Sequence, residues 1–261
     1  MSGSDLHVEE LPPAEGEGPL VVLVHGSMDR LRTFARLAAR LRDCHLIAYD
    51  RRGYGRSRAA EPLACSVADH AADLAAVLDG RTAALAFGHS YGADVVLALA
   101  QEQPDLIRSA IVYEAPMPWF EWWQGGARPL FAGGVDAVDP GDAALGFVRR
   151  MIGDERYQRI PERFRAELRK DGPAFRAEMT ALRDDPPPFV PAQIGVRVLV
   201  ARGSEALERQ VRGCDFLVSE IPEAELAVVD GAGHGGHLSH PDVLADLVHV
   251  ELARPAAATL R

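Results

Sequence analysis

The sequence of 261 residues has few cysteines and no apolar run long enough to cross a membrane. Cys44, Cys65 and Cys214 are widely spaced and form no C-x-x-C or Cys/His pattern. We therefore expect small core residues in a reducing compartment rather than disulfides or metal ligands. No stretch approaches the ~20 apolar residues that span a bilayer, and residues 1–17 lack the basic and apolar regions of a secretory signal. These absences predict a soluble, cytoplasmic protein.

The sequence also lacks a basic surface and the common cofactor motifs. The formal net charge is −10, and Lys170 is the only lysine among 28 basic residues, which argues against nucleic acid or an anionic membrane as a partner. No HExxH, Walker or EF-hand pattern is present, and the G-x-G at 53–55 has neither a third glycine nor an opening helix. The histidines at 234, 237 and 240 have no Asp or Cys partner at ligand spacing. We expect no cofactor and no metal, and a small molecule as the partner.

Apolar runs typical of buried strands alternate with helical runs along most of the chain. This alternation predicts an α/β protein in which a mostly parallel sheet carries helices on both faces. The predicted strands are 20–25, 46–49, 83–87, 110–113, 196–201 and 226–229, with an antiparallel edge strand at 6–11. The predicted helices are 31–41, 67–78, 91–103, 205–218 and 243–252. Residues 1–115 and 192–261 then form one core domain.

The alternation stops between residues 116 and 191. This segment contains all three tryptophans and three amphipathic helical runs at 143–151, 155–170 and 173–182, and it ends in a run of prolines. Ligands of open α/β sheets bind at the carboxyl ends of the strands, where the segment must lie. It therefore predicts a helical lid rather than a surface decoration. We expect a hydrophobic substrate to contact Met117, Trp119, Trp122 and Trp123, although packing of the lid onto the body would also explain the aromatic residues.

The pentapeptide Gly88-His89-Ser90-Tyr91-Gly92 connects a predicted strand to a predicted helix. A serine on such a sharp turn has a strained backbone and presents its hydroxyl at the top of the sheet. Side chains at Gly88 and Gly92 would collide with neighbouring elements, and His89 is expected to pack under the turn. In this context the G-x-S-x-G pattern predicts Ser90 as a nucleophile.

A serine hydroxyl needs an adjacent base that removes its proton. His234 lies in the glycine-rich loop 230–237, which leaves the sheet at the same edge as the Ser90 turn. We assign His234 as the base and keep His237 as the alternative. His240 directly precedes a proline at a predicted helix start, so a capping or packing role suits it better.

The base needs a carboxylate that fixes its tautomer and stabilises the imidazolium. After the strand 196–201, where this chain order often places the acid, Ala206 occupies the expected position. Glu205 and Glu208 are adjacent, but at the start of a helix they suit solvated or helix-dipole roles better. Glu114 directly follows the strand 110–113, beside the strand of the nucleophile. A carboxylate among such apolar neighbours is hard to explain without a partner. We assign Glu114 as the acid and keep Glu205 as the alternative.

Acyl transfer also requires donors directed at the developing oxyanion. The backbone N–H of Tyr91, which follows the nucleophile, suits this role. The second donor is expected from the turn after the first strong strand, with the Ser27 N–H as our assignment and Met28 as the alternative.

The order and spacing of His25-Gly26, residues 50–57, Gly88-His89-Ser90-Tyr91-Gly92 and Gly233-His234 resemble those of the α/β-hydrolase superfamily. More narrowly, Tyr113-Glu114-Ala115-Pro116 and residues 239–243 are similar to zearalenone-type lactonases, which place the acid as a glutamate after the strand that follows the nucleophile strand. This second resemblance implies Glu114 as the acid. The sequence departs from these lactonases at His25, in the pentapeptide and through most of the lid, so their lactone is not carried over.

These residues predict a cofactor-free serine hydrolase of carboxylic esters, lactones or thioesters. A serine nucleophile excludes the related enzymes that need an aspartate there, namely haloalkane dehalogenases and epoxide hydrolases. The alternatives are a non-hydrolytic or C–C-cleaving use of the same triad in secondary metabolism, or a ligand-binding member without turnover.

Overall fold

A computed structural model describes residues 6–60, 63, 66–123 and 139–255. Its centre is a seven-stranded sheet in the order β1-β3-β2-β4-β5-β6-β7, in which only β1 is antiparallel to its neighbour. The strands are β1 (Val8–Leu11), β2 (Leu20–Val24), β3 (His45–Tyr49), β4 (Leu85–His89), β5 (Ser109–Tyr113), β6 (Arg197–Gly203) and β7 (Ala224–Val229). This is the α/β-hydrolase fold, and all seven predicted strands are confirmed to within a few residues.

The central strands are apolar on both faces because helices cover both sides of the sheet. Along β2, Val22 and Val24 point into one core while Val21 and Leu23 point into the other. The helices of the described residues are α1 (Ala35–Ala38), α2 (Val67–Leu78), α3 (Tyr91–Glu102), α4 (Pro140–Ile152), α5 (Asp154–Gln158), α6 (Glu162–Lys170), α7 (Gly172–Asp184), α8 (Glu208–Glu220), α9 (Gly236–Ser239) and α10 (Pro241–Leu252). Helices α2, α3 and α8 pack into the first core, and α1 and α10 pack into the second.

Local signals explain where α2 begins. Ser66 caps it, because its hydroxyl accepts a hydrogen bond from the Asp69 N–H at 3.1 Å. The Asp69 carboxylate in turn accepts from the Ser66 N–H at 3.0 Å. This reciprocal pair is a capping box, and the helix covers the predicted residues 67–78.

Four helices, α4 to α7, lie between β5 and β6, within the segment predicted as a lid. Two predicted helices were wrong in extent. The run 155–170 is divided into α5 and α6, and Pro161, directly before α6, cannot donate the backbone hydrogen bond that would continue α5. The run 31–41 forms a 3-10 turn (Leu31–Phe34) followed by the single turn of α1.

Cys44 and Cys214 are free and buried, as expected of core residues, whereas Cys65 lies outside the described residues. Within the described part of the chain, no helix combines the length and the apolar character needed to cross a membrane.

Candidate active site

The turn between β4 and α3 holds Ser90 in a conformation that few side chains adopt. Its φ and ψ angles are 52° and −128°, a sparsely populated region that surrounding structure must enforce. A Cβ at Gly88 would lie 2.5 Å from the Gly92 carbonyl oxygen, and one at Gly92 would collide with the backbone of Val24 and His25. Only glycine therefore lets β2, the turn and α3 approach this closely, as the sequence predicts.

The predicted acid and the predicted base meet at the carboxyl ends of β5 and β7. The Nδ1 atom of His234 lies 2.7 Å from Oε2 of Glu114. The second carboxylate oxygen of Glu114 accepts a hydrogen bond from the Gly203 N–H at 3.0 Å. Glu114 is fully buried and has a φ of 51°, so the end of β5 is strained, like the Ser90 turn. An Nδ1–H that donates to a carboxylate leaves Nε2 of His234 free to accept a proton.

Two buried side chains fix the loop that carries His234. The Tyr113 hydroxyl donates to the Gly233 carbonyl oxygen at 2.8 Å. His89 Nε2 lies 2.8 Å from the His234 carbonyl oxygen, and donation to it places the proton of a neutral His89 on Nε2. Burial, together with the charges of His237 and His234, keeps the pKa of His89 well below its ordinary value. His89 therefore packs under the turn as a neutral positioning group, as expected.

Gln210 is a further neighbour of His234, and sequence reasoning did not identify it. It is buried in the first turn of α8, and its Nε2 lies 2.8 Å from His234 Nδ1. Its carbonyl oxygen accepts from the Leu207 N–H at 2.8 Å, which fixes the orientation of the amide. Because Nδ1 can form one strong hydrogen bond, the carboxylate of Glu114 is the better partner. Gln210 then lies beside this pair in the wall of the same cavity.

The alternative assignments lie elsewhere. Glu205 is exposed, and its backbone N–H donates to the Ala232 carbonyl oxygen at 2.9 Å. His237 is buried against His89, with their ring centres 4.2 Å apart, and its Nε2 lies 3.3 Å from Asp29. His240 contacts the Ser239 hydroxyl at 2.8 Å and directly precedes α10. Of the candidate acids and bases, the structure brings only His234 and Glu114 together.

A small cavity of about 70 Å³ opens between the sheet and the inserted helices. Ser90, Glu114 and His234 lie on its wall, together with Ser27, Tyr91 and Gln210. Among the described residues, the rest of the lining is mainly apolar: Pro116, Pro118 and Trp123, with Phe147 and Met151 of α4 and Met179 and Leu182 of α7. Arg209 of α8 is the one charged residue that this part of the chain adds to the site residues. The cavity therefore combines three reactive side chains with an apolar chamber, as a small-molecule site does.

Only one of the four residues predicted to contact a substrate lines this cavity, and that residue is Trp123. Met117 is fully buried in the core. Trp119 packs edge-on against Phe189, and Trp122 stacks on Phe120. For these three, packing of the segment onto the body explains the residues better than substrate contact does.

The turn expected to supply an oxyanion donor is fixed by buried polar groups. His25 Nε2 accepts from the Arg51 N–H at 2.8 Å, so its Nδ1–H donates to the Gly26 carbonyl oxygen at 2.8 Å. Burial, with the adjacent charge of Arg51, lowers the pKa of His25 to about 4 and keeps the ring neutral. Met28, at the end of the turn, has a φ of 59°.

A carboxylate from the inserted helices reaches this turn. Glu178 of α7 is fully buried, and it accepts hydrogen bonds from the Ser27 hydroxyl and the Tyr54 hydroxyl, both at 2.6 Å. It also pairs with the buried guanidinium of Arg51, and His70 Nε2 lies 3.1 Å away. Desolvation alone would raise the pKa of Glu178, but the charge of Arg51 and the hydrogen bonds hold it below its ordinary value. We call Glu178, Arg51, Tyr54, Ser27 and His70 the Glu178 network.

Two groups of side chains among the described residues have the atoms and spacing of metal ligands: Asp29, His89 and His237, and Asp43, Cys44 and His249. In each group a histidine already lies close to the aspartate, at 3.3 Å for His237 and 3.0 Å for His249. Ion pairs or hydrogen bonds account for both arrangements. We assign no ion to them.

Comparison with known proteins is consistent with this geometry. Residues 21–247 match the alpha/beta hydrolase family. Among characterised relatives, the chain is 28% identical over 257 residues to 2-(acetamidomethylene)succinate hydrolase of Mesorhizobium japonicum, covering 88% of this chain and 86% of that protein. It is 34% identical over 113 residues to lipase LipV of Mycobacterium tuberculosis, a match that spans 42% of this chain and only 41% of the lipase.

Solved structures resemble the whole chain at low sequence identity. The enol-lactonase of Burkholderia xenovorans LB400 superimposes with a TM-score of 0.73 at 22% identity and covers 97% of this chain and 98% of its own. A thermophilic esterase of Thermogutta terrifontis gives a TM-score of 0.73 at 20% identity, with coverage of 95% and 93%. At such identities the likeness concerns the fold.

Proposed function

Because the chain belongs to the alpha/beta hydrolase family, we propose that it is a serine hydrolase that cleaves a carboxylic ester or a lactone through an acyl-enzyme on Ser90. The observation that carries the proposal is the 2.7 Å contact between His234 and Glu114 beside a cavity that Ser90 also lines. The relatives are hydrolases by name, which supports the general reaction class. The ester or lactone substrate and the role of each residue are our proposal.

The reaction proceeds in two halves. In the first, His234 Nε2 takes the proton of the Ser90 hydroxyl, and Oγ attacks the substrate carbonyl. The tetrahedral intermediate collapses, and His234 returns the proton to the leaving oxygen. In the second half, His234 takes a proton from water, the hydroxide attacks the acyl-enzyme, and Ser90 is released with its proton. Glu114 holds the imidazole in the required tautomer and stabilises its charged form.

Backbone groups stabilise the oxyanion in this scheme. The Tyr91 N–H lies at the N-terminus of α3, where the helix dipole and unpaired amides favour negative charge. The second donor is the Ser27 N–H, on a turn that the Glu178 network holds from one side and His25 from the other. Every step uses groups of this chain and water, so the scheme needs no metal or organic cofactor.

The inserted helices act as a cap in this proposal. Phe147 and Met151 of α4 and Met179 and Leu182 of α7 close the cavity above Ser90. An apolar roof excludes water from the reacting carbonyl, which strengthens the electrostatic contacts inside. Trp123, the one tryptophan in the lining, supplies an aromatic wall for the acyl group or ring.

The experiment is a turnover assay with a panel of aryl esters, lactones and thioesters. We expect the wild-type protein to hydrolyse members of the ester or lactone series. The Ser90→Ala variant should lose about 10⁴-fold or more in kcat, since catalysis by a triad collapses when the nucleophile is removed. The Ser239→Ala variant is the matched control, because Ser239 is an exposed serine in α9 that does not line the cavity. Equal turnover by wild type and Ser90→Ala would refute the nucleophile assignment.

A further inference from the structure

One charged side chain in the cavity lining has no role in the proposed reaction. Arg209 is half-buried and lines the same cavity as Ser90 and His234. Its guanidinium lies 5.9 Å from the ring centre of Trp123. It forms no ion pair with any carboxylate among residues 6–60, 63, 66–123 and 139–255, which are those that the structure describes.

Two buried arginines near the site are each balanced by an acid. Arg51 pairs with Glu178, and Arg52 pairs with Asp73. For Arg209, desolvation by burial lowers the pKa without an acidic neighbour that would raise it again. A guanidinium that gives up water contacts without a counter-charge costs free energy, and such a cost is offset when an anion completes the site.

The position of Arg209 adds to this imbalance. Arg209 is the second residue of α8, where the helix dipole is positive and the backbone N–H groups lack helical partners. A cation at that end is repelled by the helix, so α8 gains nothing from it. An anion beside Arg209 would be attracted by both the guanidinium and the helix terminus.

The chain also places Arg209 close to the reacting groups. The next residue, Gln210, contacts the ring of His234, and successive Cα atoms are about 3.8 Å apart. A ligand that reaches Ser90 can therefore extend a short polar group to Arg209 within the same cavity. Trp123, whose ring centre lies 5.9 Å from the guanidinium, gives the lining beside Arg209 an apolar surface.

We infer that Arg209 is the anion-binding residue of the cavity and that the substrate carries a carboxylate in addition to its scissile ester or lactone group. This inference rests on the proposed function and narrows its substrate class. The planar guanidinium holds the substrate carboxylate through paired N–H donors while Trp123 packs against the alkyl or ring portion. An ester without a carboxylate enters the same cavity but leaves the Arg209 guanidinium without an anionic partner.

The test compares two esters that differ only in charge: mono-4-nitrophenyl adipate and 4-nitrophenyl 5-carbamoylpentanoate, its primary amide. We expect the wild-type protein to prefer the carboxylate ester by about 10- to 100-fold in kcat/KM, the range for a hydrogen bond between charged groups. In Arg209→Gln this ratio should fall towards one. The matched control is Arg212→Gln, because Arg212 lies one turn further along α8, stacks on Trp122 at 5.1 Å and does not line the cavity; it should keep the wild-type ratio.

A wild-type ratio near one, a ratio that survives in Arg209→Gln, or an equal loss in Arg212→Gln would overturn the inference. Binding of adipate to Ser90→Ala by titration calorimetry gives a second measurement that needs no turnover. The affinity for adipate should be about 10-fold or more weaker in the double variant Ser90→Ala/Arg209→Gln than in Ser90→Ala. Adipamide, which has no charge, should bind equally well to these two variants. If wild type hydrolyses neither ester yet Ser90→Ala binds adipate through Arg209, the hydrolase proposal fails and the anion site stands. If wild type hydrolyses both esters with equal kcat/KM, the hydrolase proposal stands and the anion site fails.

Discussion

Replacing Glu178 by glutamine should destabilise the protein strongly, although the two side chains have nearly the same volume. Among the residues that the structure describes, Glu178 is the only carboxylate that pairs with the fully buried guanidinium of Arg51. The amide removes the negative charge and leaves that guanidinium uncompensated. Its N–H₂ group also replaces one of the two oxygens, which now accept from Arg51 and from the Ser27 and Tyr54 hydroxyls respectively, so one set of donors loses its acceptor.

The expected magnitude follows from this burial. Removing one partner of a buried ion pair costs about 3–5 kcal/mol, because the other charge stays buried without compensation. With a urea dependence of about 3 kcal/mol per M for a chain of this size, the unfolding midpoint should fall by about 1–1.7 M. The three tryptophans, all in the segment 119–123, give a fluorescence signal that can be compared with circular dichroism of the whole chain.

Two further variants decide whether the charge is the cause. Glu155→Gln removes an exposed carboxylate of the same inserted segment, which pairs with Arg159 one turn away, and should leave the midpoint unchanged. Replacing Arg51 and Glu178 together by methionine removes both charges and should recover part of the loss, since a buried pair is often no better than an apolar pair. A Glu178→Gln midpoint within error of wild type would refute the claim that this carboxylate neutralises Arg51 in the folded state.

The remaining predictions concern the site and its scaffold. Glu114→Gln should lower kcat by about 10³-fold or more because the imidazole loses its orienting charge, while Glu205→Gln changes it little; the opposite ranking in ester assays would move the acid to the later loop. Gly92→Ala should lower the free energy of unfolding by about 1–3 kcal/mol, because the added Cβ overlaps the backbone of Val24 and His25. Gly195→Ala, whose added Cβ would have nothing within 4 Å, should change it by no more than about 0.5 kcal/mol. Urea unfolding measures both. The difference in the free energy of unfolding between wild type and Glu178→Gln should have its full value above about pH 4.3, the pKa of an unfolded glutamate. It should shrink as the pH falls below this value, because the pKa of Glu178 is lowered in the folded state. A difference that grows between pH 5 and pH 3.5 would contradict this.

The fold was predictable because its signals are local and repeated. Each central strand is a short apolar run, and Ser66 with Asp69 marks the start of α2 within the sequence itself. The turn that carries Ser90 was predictable for the same reason, since Gly88 and Gly92 are required by contacts made within one strand–turn–helix unit and its neighbouring strand. Helix lengths were less predictable, because a proline and a tight turn divided runs whose apolar spacing looked continuous.

The pairing of Glu114 with His234 could be inferred because parallel strands end at one edge of the sheet. A carboxylate directly after an apolar strand needed a partner, and the loop after β7 offered one. The structure supports this pairing by distance, and the narrower resemblance to zearalenone-type lactonases stays a prediction. No comparable reason favoured one residue over another within 117–123, and three of the four predicted substrate contacts lie outside the cavity.

The residues that sequence reasoning missed depend on how distant segments pack. Glu178 contacts Arg51, which lies 127 residues away in the sequence, and Gln210 contacts His234, which lies 24 residues away. Neither belongs to a motif, and each lies on an amphipathic helix where a polar residue is expected to face water. The one signal was that Gln210 falls on the N-terminal turn that follows β6, the loop searched for an acid.

Whether Ser90 is an activated nucleophile can be measured by labelling with a fluorophosphonate, because this reagent reports the nucleophile without knowledge of the natural substrate. Folded wild-type protein should gain the mass of one phosphonyl group, with the modified peptide containing Ser90, and His234→Gln should react far more slowly. Absence of labelling in folded wild-type protein, or an adduct on a different residue, would contradict the account of Ser90 activated by His234 and Glu114.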